Sequence, residues 1–258
     1  MKQEKSFSFN LPDFKKQFQR RRLPLRGLVP EIGSGFLGAP YQAATLESGR
    51  KEKLIVNFAQ FDCFTFVETV LALAKCVAAG KISLPEFRRQ LQFMRYRHGI
   101  IDGYSSRLHY FTDWLHDSFQ KKIMQDLSAE LAAVPHRKKI NYLTAQRQFH
   151  HALQEEQELQ KMLLLEKNIS RRILRIIPTD EVNRQKGKIK NGDLIAFAVA
   201  QDGLDVGHVG FALWQEKKLH FLHASSREKG VVISALTLVN YLRQNKKFTG
   251  IMAARLNQ

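Results

Sequence analysis

One of the two cysteines lies where a helix is predicted to begin. Cys63 follows Asp62, a residue type that often caps helix N-termini, and an apolar segment continues from there until Gly80. This pattern predicts a buried helix from about Cys63 to Ala79. Because the unpaired N–H groups of a helix N-terminus carry partial positive charge, they favour a thiolate, and Cys63 is a candidate nucleophile. On this evidence alone, a cysteine that only fills the core is an equally open interpretation.

Two histidines fall on neighbouring strands of a predicted hairpin. His208 lies in the first strand and His223 in the second, with the turn near Gln215–Lys218. If the turn comprises only two residues, the histidines are directly opposite each other. If it takes four residues, His223 is opposite Gly210 and His208 is diagonal to it. Both registers put the imidazoles on one face of the sheet, with their Cβ atoms roughly 4.5 to 8 Å apart.

A thiol at a helix N-terminus and two imidazoles on one strand face are the residue types of cysteine-dependent acyl transfer. Such chemistry uses a nucleophile, a base that removes its proton and a third group that orients the base. Cys63, His208 and His223 fit these three parts, although 145 residues (208 minus 63) separate the cysteine from the first histidine. The hypothesis therefore requires a fold that brings the helix and the hairpin together.

The rest of the chain must supply the elements that hold these groups. Periodicity predicts helices over 11–22, 63–79, 85–93 and 112–119 and a long helical stretch over 141–173, with strands over 194–199, 207–214, 219–224, 231–233 and 250–255. Residues 1 to 60 are otherwise typical of loops. Helices followed by an antiparallel sheet indicate an α+β fold.

Length and composition fit one sizeable domain, or one domain with a large insertion. The chain has 258 residues, of which 44% are hydrophobic. It contains no run of about 18 apolar residues that could span a membrane, and its first residues lack the apolar segment of a signal peptide. The protein is expected in the cytoplasm unless a signal was removed before this numbering begins, and the sequence leaves the compartment open.

Neither a metal nor a nucleic acid is the expected partner. Cys63 and Cys76 would lie roughly 20 Å apart on one helix, which is too far for a disulfide. The nine histidines show no zinc-type spacing, so no metal or other cofactor is expected. The formal net charge of +17 would suit a nucleic acid, but the basic residues occur in short scattered groups without a nucleic-acid-binding signature. We interpret the charge as a solvated surface that tolerates polyanions.

Ordered motifs along the chain resemble a known enzyme superfamily. They are Asp62-Cys63 at the start of a helix, Gly207-His208-Val209-Gly210-Phe211 and Leu222-His223-Ala224-Ser225-Ser226. In these motifs and their order the chain resembles the NlpC-type cysteine peptidases, the papain-like bacterial cell-wall hydrolases. Over about residues 30 to 256 it is similar to the N-acetylmuramoyl-L-alanine amidase-like branch, through Phe36-Leu37-Gly38-Ala39-Pro40-Tyr41, Thr45-Leu46-Glu47, the segment from Phe61 to Glu68, Arg107-Leu108-His109-Tyr110-Phe111 and the segment from Gly203 to His208.

The resemblance implies a papain-like core in which the helix of Cys63 packs on the sheet that carries both histidines. It implies a lead-in over residues 1–30 and a single catalytic domain over 31–258, with a large, mainly helical insertion at about 81–187. The implied activity is hydrolysis of the amide bond between N-acetylmuramic acid and L-alanine in peptidoglycan fragments, with anhydromuropeptides as expected substrates. Cys63 would be the nucleophile, His208 the base and acid, and His223 the orienting group. A periplasmic or envelope location would follow if a signal peptide had been trimmed.

The resemblance also implies groups around this triad. The backbone N–H of Cys63 would meet the oxyanion, with Tyr41 as a candidate side-chain donor. The segment from 95 to 111 is rich in Tyr, Arg and His, and such side chains suit a substrate with sugar and peptide parts. The candidate oxyanion and substrate-binding residues are Tyr41, Asp62, Tyr104, Arg107, His109, Tyr110 and Ser225.

Three other functions stay open. An endopeptidase of the same superfamily would cut between D-glutamate and the diamino acid of the stem peptide. A non-catalytic wall-binding module would have no need of Cys63, His208 and His223 together. A nucleic-acid-binding protein would rest on the charge alone, and its affinity would fall steeply with salt.

Overall fold

Both histidine strands belong to one antiparallel sheet. The structure is a computed structural model that describes residues 7–21, 23–47 and 51–257. Within those residues the strands are β1 (Met124–Asp126), β2 (Val134–His136), β3 (Leu174–Pro178), β4 (Leu194–Val199), β5 (Val206–Gln215), β6 (Lys218–Ser225), β7 (Gly230–Ile233) and β8 (Phe248–Leu256). Their order is β2-β3-β8-β4-β5-β6-β7, with β1 also paired to β8. All of these pairings are antiparallel.

Helices precede and interrupt the strands along the chain. They are α1 (Leu11–Phe18), α2 (Leu25–Ser34), α3 (Cys63–Ala78), α4 (Leu84–Arg95), α5 (Phe111–Gln120), α6 (Tyr142–Ala145), α7 (Glu156–Ser170), α8 (Val182–Gln185) and α9 (Leu238–Gln244). Among the described residues, no helix is both long and apolar enough to cross a membrane. The α+β prediction is confirmed.

Two apolar layers cover the two faces of the sheet. On one face, α2 and α3 pack against alternate sheet residues that include Val209, Phe211 and Leu222, and α4 packs on α3. On the other face, α9 packs against the intervening positions, which include Phe197 and Phe221. Because α3 is enclosed by the sheet and by neighbouring helices, most of its side chains are buried, which explains why apolar residues recur all around it.

The long helix predicted over 141–173 is wrong. The chain instead forms α6, two 3₁₀ turns at Arg147–Phe149 and His151–Gln154, and then α7. Leu153 and Met162 pack in the same small cluster although they are nine residues apart (162 minus 153). On one continuous helix nine steps of about 100° would point them to opposite sides, so the chain has to turn between them.

The segment 81–187 contributes strands as well as helices. It contains β1, β2 and β3, and both β1 and β3 pair with the central strand β8. Each is only three to five residues long, too short for a period-two pattern to stand out in the sequence.

The N-terminal region contains more helix than its loop-like composition indicates. Helix α2 was not predicted, yet its Leu28 and Ile32 are buried in the same core as α3. The predicted helix over 11–22 ends at Phe18, the last buried residue of its apolar side, and position 22 lies outside the described residues.

Candidate active site

Cys63 is the first residue of α3, and a capping box fixes the start of that helix. The Asp62 carboxylate accepts a hydrogen bond of 2.7 Å from the Thr65 N–H, while the Asp62 N–H donates to the Thr65 hydroxyl at 3.0 Å. Two of the N–H groups that a helix leaves unpaired are thereby satisfied within the chain. The Asp62 side chain thus positions Cys63. The thiol of Cys63 is free and forms no disulfide.

The hairpin of β5 and β6 adopts the second of the two predicted registers, but its turn comprises only Glu216 and Lys217 instead of the four residues expected for that register. Gln215 pairs with Lys218 and Phe211 with Leu222, which sets His223 beside Gly210. A Cβ atom on Gly210 would lie 2.9 Å from the Cβ of His223, so a larger residue at 210 would displace the histidine. The expectation that both imidazoles share one face is met, because His208 and His223 lie in direct contact.

The contact between the histidines fixes their tautomers once a role is assigned. His208 Nε2 and His223 Nδ1 are 2.6 Å apart, so one of them donates a hydrogen bond to the other. If His208 uses Nδ1 as a base, its Nε2 carries the hydrogen and donates it. His223 then carries a hydrogen on Nε2, which is buried without a hydrogen-bond partner in the described part of the chain. A buried donor of this kind lowers stability by about 1–3 kcal/mol.

A cavity of about 670 Å³ brings the thiol and the first histidine together. Cys63 and His208 both line it. The Cys63 helix packs on one face of the sheet and the histidines lie on the other face, next to Phe197 and Phe221. The helix start and the beginning of β5 therefore meet at this cavity.

Burial keeps all three groups neutral at neutral pH. Burial, reinforced by the charge of Asp62, raises the pKa of the Cys63 thiol to about 12. This is opposite to the direction expected from a helix N-terminus, because the N–H groups that point at the sulfur are outweighed by desolvation. Burial, with smaller contributions from His223 and Lys247, holds the pKa of His208 well below 6.5, and burial lowers the pKa of His223 to about 4. A neutral thiol and a neutral imidazole that line one cavity suit general-base activation.

Tyr41 and Ser225 also line the cavity of Cys63. Tyr41 forms a bridge with Phe61, two residues before the cysteine, and its N–H donates to the Lys229 carbonyl at 3.0 Å. Burial, with smaller contributions from the neighbouring Cys63 and Asp62, raises the pKa of Tyr41 to about 12, so its hydroxyl is a proton donor. The Ser225 hydroxyl accepts a hydrogen bond from the Glu228 N–H and shapes the turn into β7.

Sequence reasoning missed Tyr241, which lines the cavity from α9. Its ring lies 6.4 Å from that of His208 and 6.2 Å from that of His223. Burial is the largest cause that raises its pKa, followed by the Cys63 charge. No motif marks this tyrosine in the sequence, since it reaches the cavity only because α9 packs across the end of β6.

Four other candidates do not line the cavity of Cys63. Tyr104 and Arg107 line a second cavity, of about 390 Å³, together with Glu47 and Glu52. Arg107 is 4% exposed, and its guanidinium lies 2.6 Å from Glu47 and 3.4 Å from Glu52. It also lies over the Tyr104 ring at 5.0 Å. We call Glu47, Glu52, Tyr104 and Arg107 the Arg107 cluster.

The remaining two, His109 and Tyr110, form internal hydrogen bonds. His109 Nε2 contacts the Tyr104 carbonyl at 2.8 Å, and burial holds its pKa well below 6.5. The Tyr110 hydroxyl donates to Glu166 at 2.6 Å and accepts from the Leu143 N–H at 2.8 Å. Both side chains therefore fix the path of the chain around the Arg107 cluster.

The sequence model of the AmiA-like family, described as N-acetylmuramoyl-L-alanine amidase-like, matches residues 31–251. The chain belongs to this family. Among curated proteins, none matches it closely enough to count as a relative.

Solved structures agree with this membership. An N-acetylmuramoyl-L-alanine amidase from Bacteroides uniformis is 36% identical over 89% of this chain and 99% of its own, with a TM-score of 0.85. A Bacteroides fragilis protein that bears a provisional xylanase name is also 36% identical, over 88% of this chain and all of its own, with a TM-score of 0.83. A Legionella pneumophila protein at 22% identity and a TM-score of 0.74, covering 96% of this chain and 94% of its own, shares the fold. The family membership supports an amidase-like hydrolase that acts on a peptidoglycan-type substrate.

Proposed function

We propose that this protein is a cysteine-dependent amidase that hydrolyses the bond between N-acetylmuramic acid and L-alanine in peptidoglycan fragments, with anhydromuropeptides as substrates. One observation carries the proposal: Cys63 and His208 line one cavity, and His208 contacts His223 at 2.6 Å. The family membership and the name of the Bacteroides uniformis neighbour supply the substrate class.

In the proposed reaction, the Cys63 sulfur attacks the lactyl carbonyl carbon while His208 Nδ1 takes the thiol proton. The C–N bond breaks, His208 gives that proton to the L-alanine nitrogen, and the peptide leaves. A muramoyl thioester remains on Cys63. Water then attacks it with His208 as base, which frees the sugar carboxylic acid and restores the thiol. His223 accepts the Nε2 hydrogen bond of His208, orients the ring and stabilises its cationic form.

The oxyanion of each tetrahedral intermediate needs preorganised donors. We assign this role to the N–H of Cys63 at the start of α3, together with the Tyr41 hydroxyl. The raised pKa of Tyr41 supports the second assignment, because the hydroxyl keeps its hydrogen over the whole working range.

We further propose that residues 31–258 form one catalytic domain of the papain-like NlpC type, with residues 1–30 as a lead-in and 81–187 as an insertion. The start of α3 and the hairpin of β5 and β6 would be its catalytic core. In this proposal Tyr104 and Arg107 contact the sugar part of the substrate through their own cavity, while His109 and Tyr110 hold that cavity in shape.

The provisional xylanase name of one neighbour raises glycoside hydrolysis as a second reaction. That chemistry uses two carboxyl groups about 5 to 9.5 Å apart on either side of the scissile bond. Of the described residues that line the cavity of Cys63, only Glu228 bears a carboxylate. We therefore favour the amidase.

The test is mass spectrometry of the products formed from a disaccharide anhydromuropeptide by the protein and by its Cys63→Ala variant. We expect free peptide that begins with L-alanine from the wild type and a loss of about a millionfold in kcat for the variant, as for other enzymes that lose their nucleophile. A sugar that retains a dipeptide would instead identify the endopeptidase. Undiminished turnover by Cys63→Ala would contradict cysteine dependence.

A further inference from the structure

Besides the thiol and His208, several other segments line the cavity of Cys63. One group comprises Lys247 and Phe248 at the start of β8, with Tyr241, Gln244 and Asn245 of α9 and the turn after it. The turn between β6 and β7 contributes Ser226, Arg227 and Glu228. We call the part of the cavity that these segments line the α9 arm.

Two cations of the α9 arm have no carboxylate partner. Neither Lys247 nor Arg227 lies within 4.0 Å of an acidic group of the described chain, although Lys247 lies over the Phe248 ring at 5.0 Å. By contrast, the buried Arg95 is paired with Glu68 at 2.8 Å. Glu228 is the only acidic residue among the described residues of this cavity.

The position of His208 indicates which half of the substrate enters the α9 arm. In the proposed reaction His208 protonates the leaving nitrogen, so the leaving group has to lie against the histidine side of the thiol. Lys247 lines the same cavity as His208, and its charge helps to lower the pKa of that imidazole. The half of the substrate beside Lys247 is therefore the amine half, which in the proposed function is the stem peptide.

We propose that the α9 arm binds the leaving peptide through its carboxylates, with Lys247 and Arg227 as the recognising cations. This inference rests on the proposed function. The occupant is a short peptide with a free carboxylate on its second residue, as in a stem peptide with D-glutamate, and amidation of that carboxylate removes the partner of the cations. Lys247 and Arg227 are specificity-determining residues and take no part in bond breaking.

A bound carboxylate also changes the base. In the free protein Lys247 disfavours protonation of His208. A substrate carboxylate paired with Lys247 offsets that charge, so the pKa of His208 rises and the imidazole becomes a stronger base. Recognition of the acidic peptide and activation of the thiol are thereby coupled through one lysine.

The experiment compares two anhydromuropeptides that differ only at the second residue, one with free D-glutamate and one with its α-carboxylate amidated. We expect a preference for the free acid of about fivefold in kcat/KM, since partly exposed ion pairs contribute up to about 1 kcal/mol each. Lys247→Gln should reduce the preference to near unity, and Arg227→Gln should reduce it in part. Lys246→Gln, an exposed neighbour that does not line the cavity, should leave it unchanged. Higher salt should weaken the wild-type preference.

A binding measurement keeps this inference separate from the proposed function. Calorimetry with the Cys63→Ala variant and the two peptides alone gives their affinities without turnover. Stronger binding of the free acid, lost in the Cys63→Ala/Lys247→Gln double variant, supports the α9 arm even if no muropeptide is cleaved. Equal kcat/KM and equal affinity for acid and amide overturn the inference even if the amidase is confirmed.

Discussion

The two polar cavities of this protein differ in what their charged groups contact. In the Arg107 cluster the guanidinium contacts Glu47 and Glu52, and the Tyr104 hydroxyl contacts His150 at 3.2 Å. In the cavity of Cys63, by contrast, the thiol is neutral, and Lys247 and Arg227 of its lining have no carboxylate within 4.0 Å among the described residues. The difference teaches that burial alone does not identify a reaction site. Charged groups that pair with one another stabilise the fold, whereas unpaired ones are free to pair with a charged substrate.

The largest effect that can test this contrast is at His223. We expect His223→Ala to lower kcat about 10⁴-fold, because His208 loses the group that fixes its tautomer. His223→Asn should retain more activity, since the asparagine Oδ1 can occupy the place of Nδ1 and accept the same hydrogen bond. His220→Ala is the matched control, because His220 lies on the opposite face of β6 and contacts the Ser234 carbonyl. Equal losses in the Ala and Asn variants would contradict an orienting role.

The second effect concerns stability and lies in the Arg107 cluster. Arg107→Ala should lower the free energy of unfolding, measured by urea titration, by about 3–5 kcal/mol, because it removes the ion-pair partner of the buried Glu52. Arg89→Ala is the control, because it removes an exposed ion pair with Glu86. In the same titration it should lower the free energy of unfolding by less than about 1 kcal/mol. Activity on a complete muropeptide decides the other proposed role: an unchanged kcat/KM for folded Arg107→Ala would remove this residue from the substrate-binding set.

A third effect distinguishes the roles of Tyr41 and Tyr241, the two tyrosines that line the cavity of Cys63. Tyr41→Phe should lower kcat about a hundredfold with little change in KM, because an oxyanion donor acts in the transition state. Tyr241→Phe should retain most of the activity, since Tyr241 lies against the histidine rings and has no assigned proton transfer. A large loss in Tyr241→Phe with a small one in Tyr41→Phe would reverse the assignment of the donor.

A fourth prediction is a pH dependence of stability that both regions share. The pKa of His223 is about 4 in the folded protein, against 6.5 for an ordinary histidine. Between these values the unfolded chain binds a proton that the folded chain excludes, so the free energy of unfolding falls as the pH drops through this window. His223 alone contributes up to about 3 kcal/mol of this loss. His208 and His109 act in the same direction. Urea titrations at pH 7 and pH 4.5 measure the loss, and His223→Asn should reduce it.

Local sequence patterns predicted the bounds of α3 and β4 closely. Helix α3 was expected over 63–79 and covers Cys63–Ala78, and β4 was expected over the residues it occupies. In both cases the signal is local, from a cap residue and a stop at one helix and from a turn on each side of a strand. The hairpin was also predicted, but the position of its turn and its register needed the structure, because several turns fit the same residues.

Non-local packing accounts for what the sequence did not reveal. The turn between α6 and α7 depends on Leu153 and Met162 sharing a cluster with Tyr104, which lies far away in the chain. The pKa of Cys63 was expected to fall, and it rises because neighbouring elements exclude water from the thiol. Tyr241 and the pairing of Arg107 likewise arise from distant segments, so no local spacing could indicate them.

The place of β8 in the sheet affects how the protein is made. This strand is synthesised after all the others, yet it lies between β3 and β4 and also pairs with β1. Until residues 248–256 leave the ribosome, β4 has an unpaired apolar edge, although the hairpin with both histidines can already form from neighbouring residues. Lys247 and Phe248 also line the cavity of Cys63. In the proposed function, a nascent chain therefore carries Cys63 and His208 before the last residues that line their cavity have been synthesised.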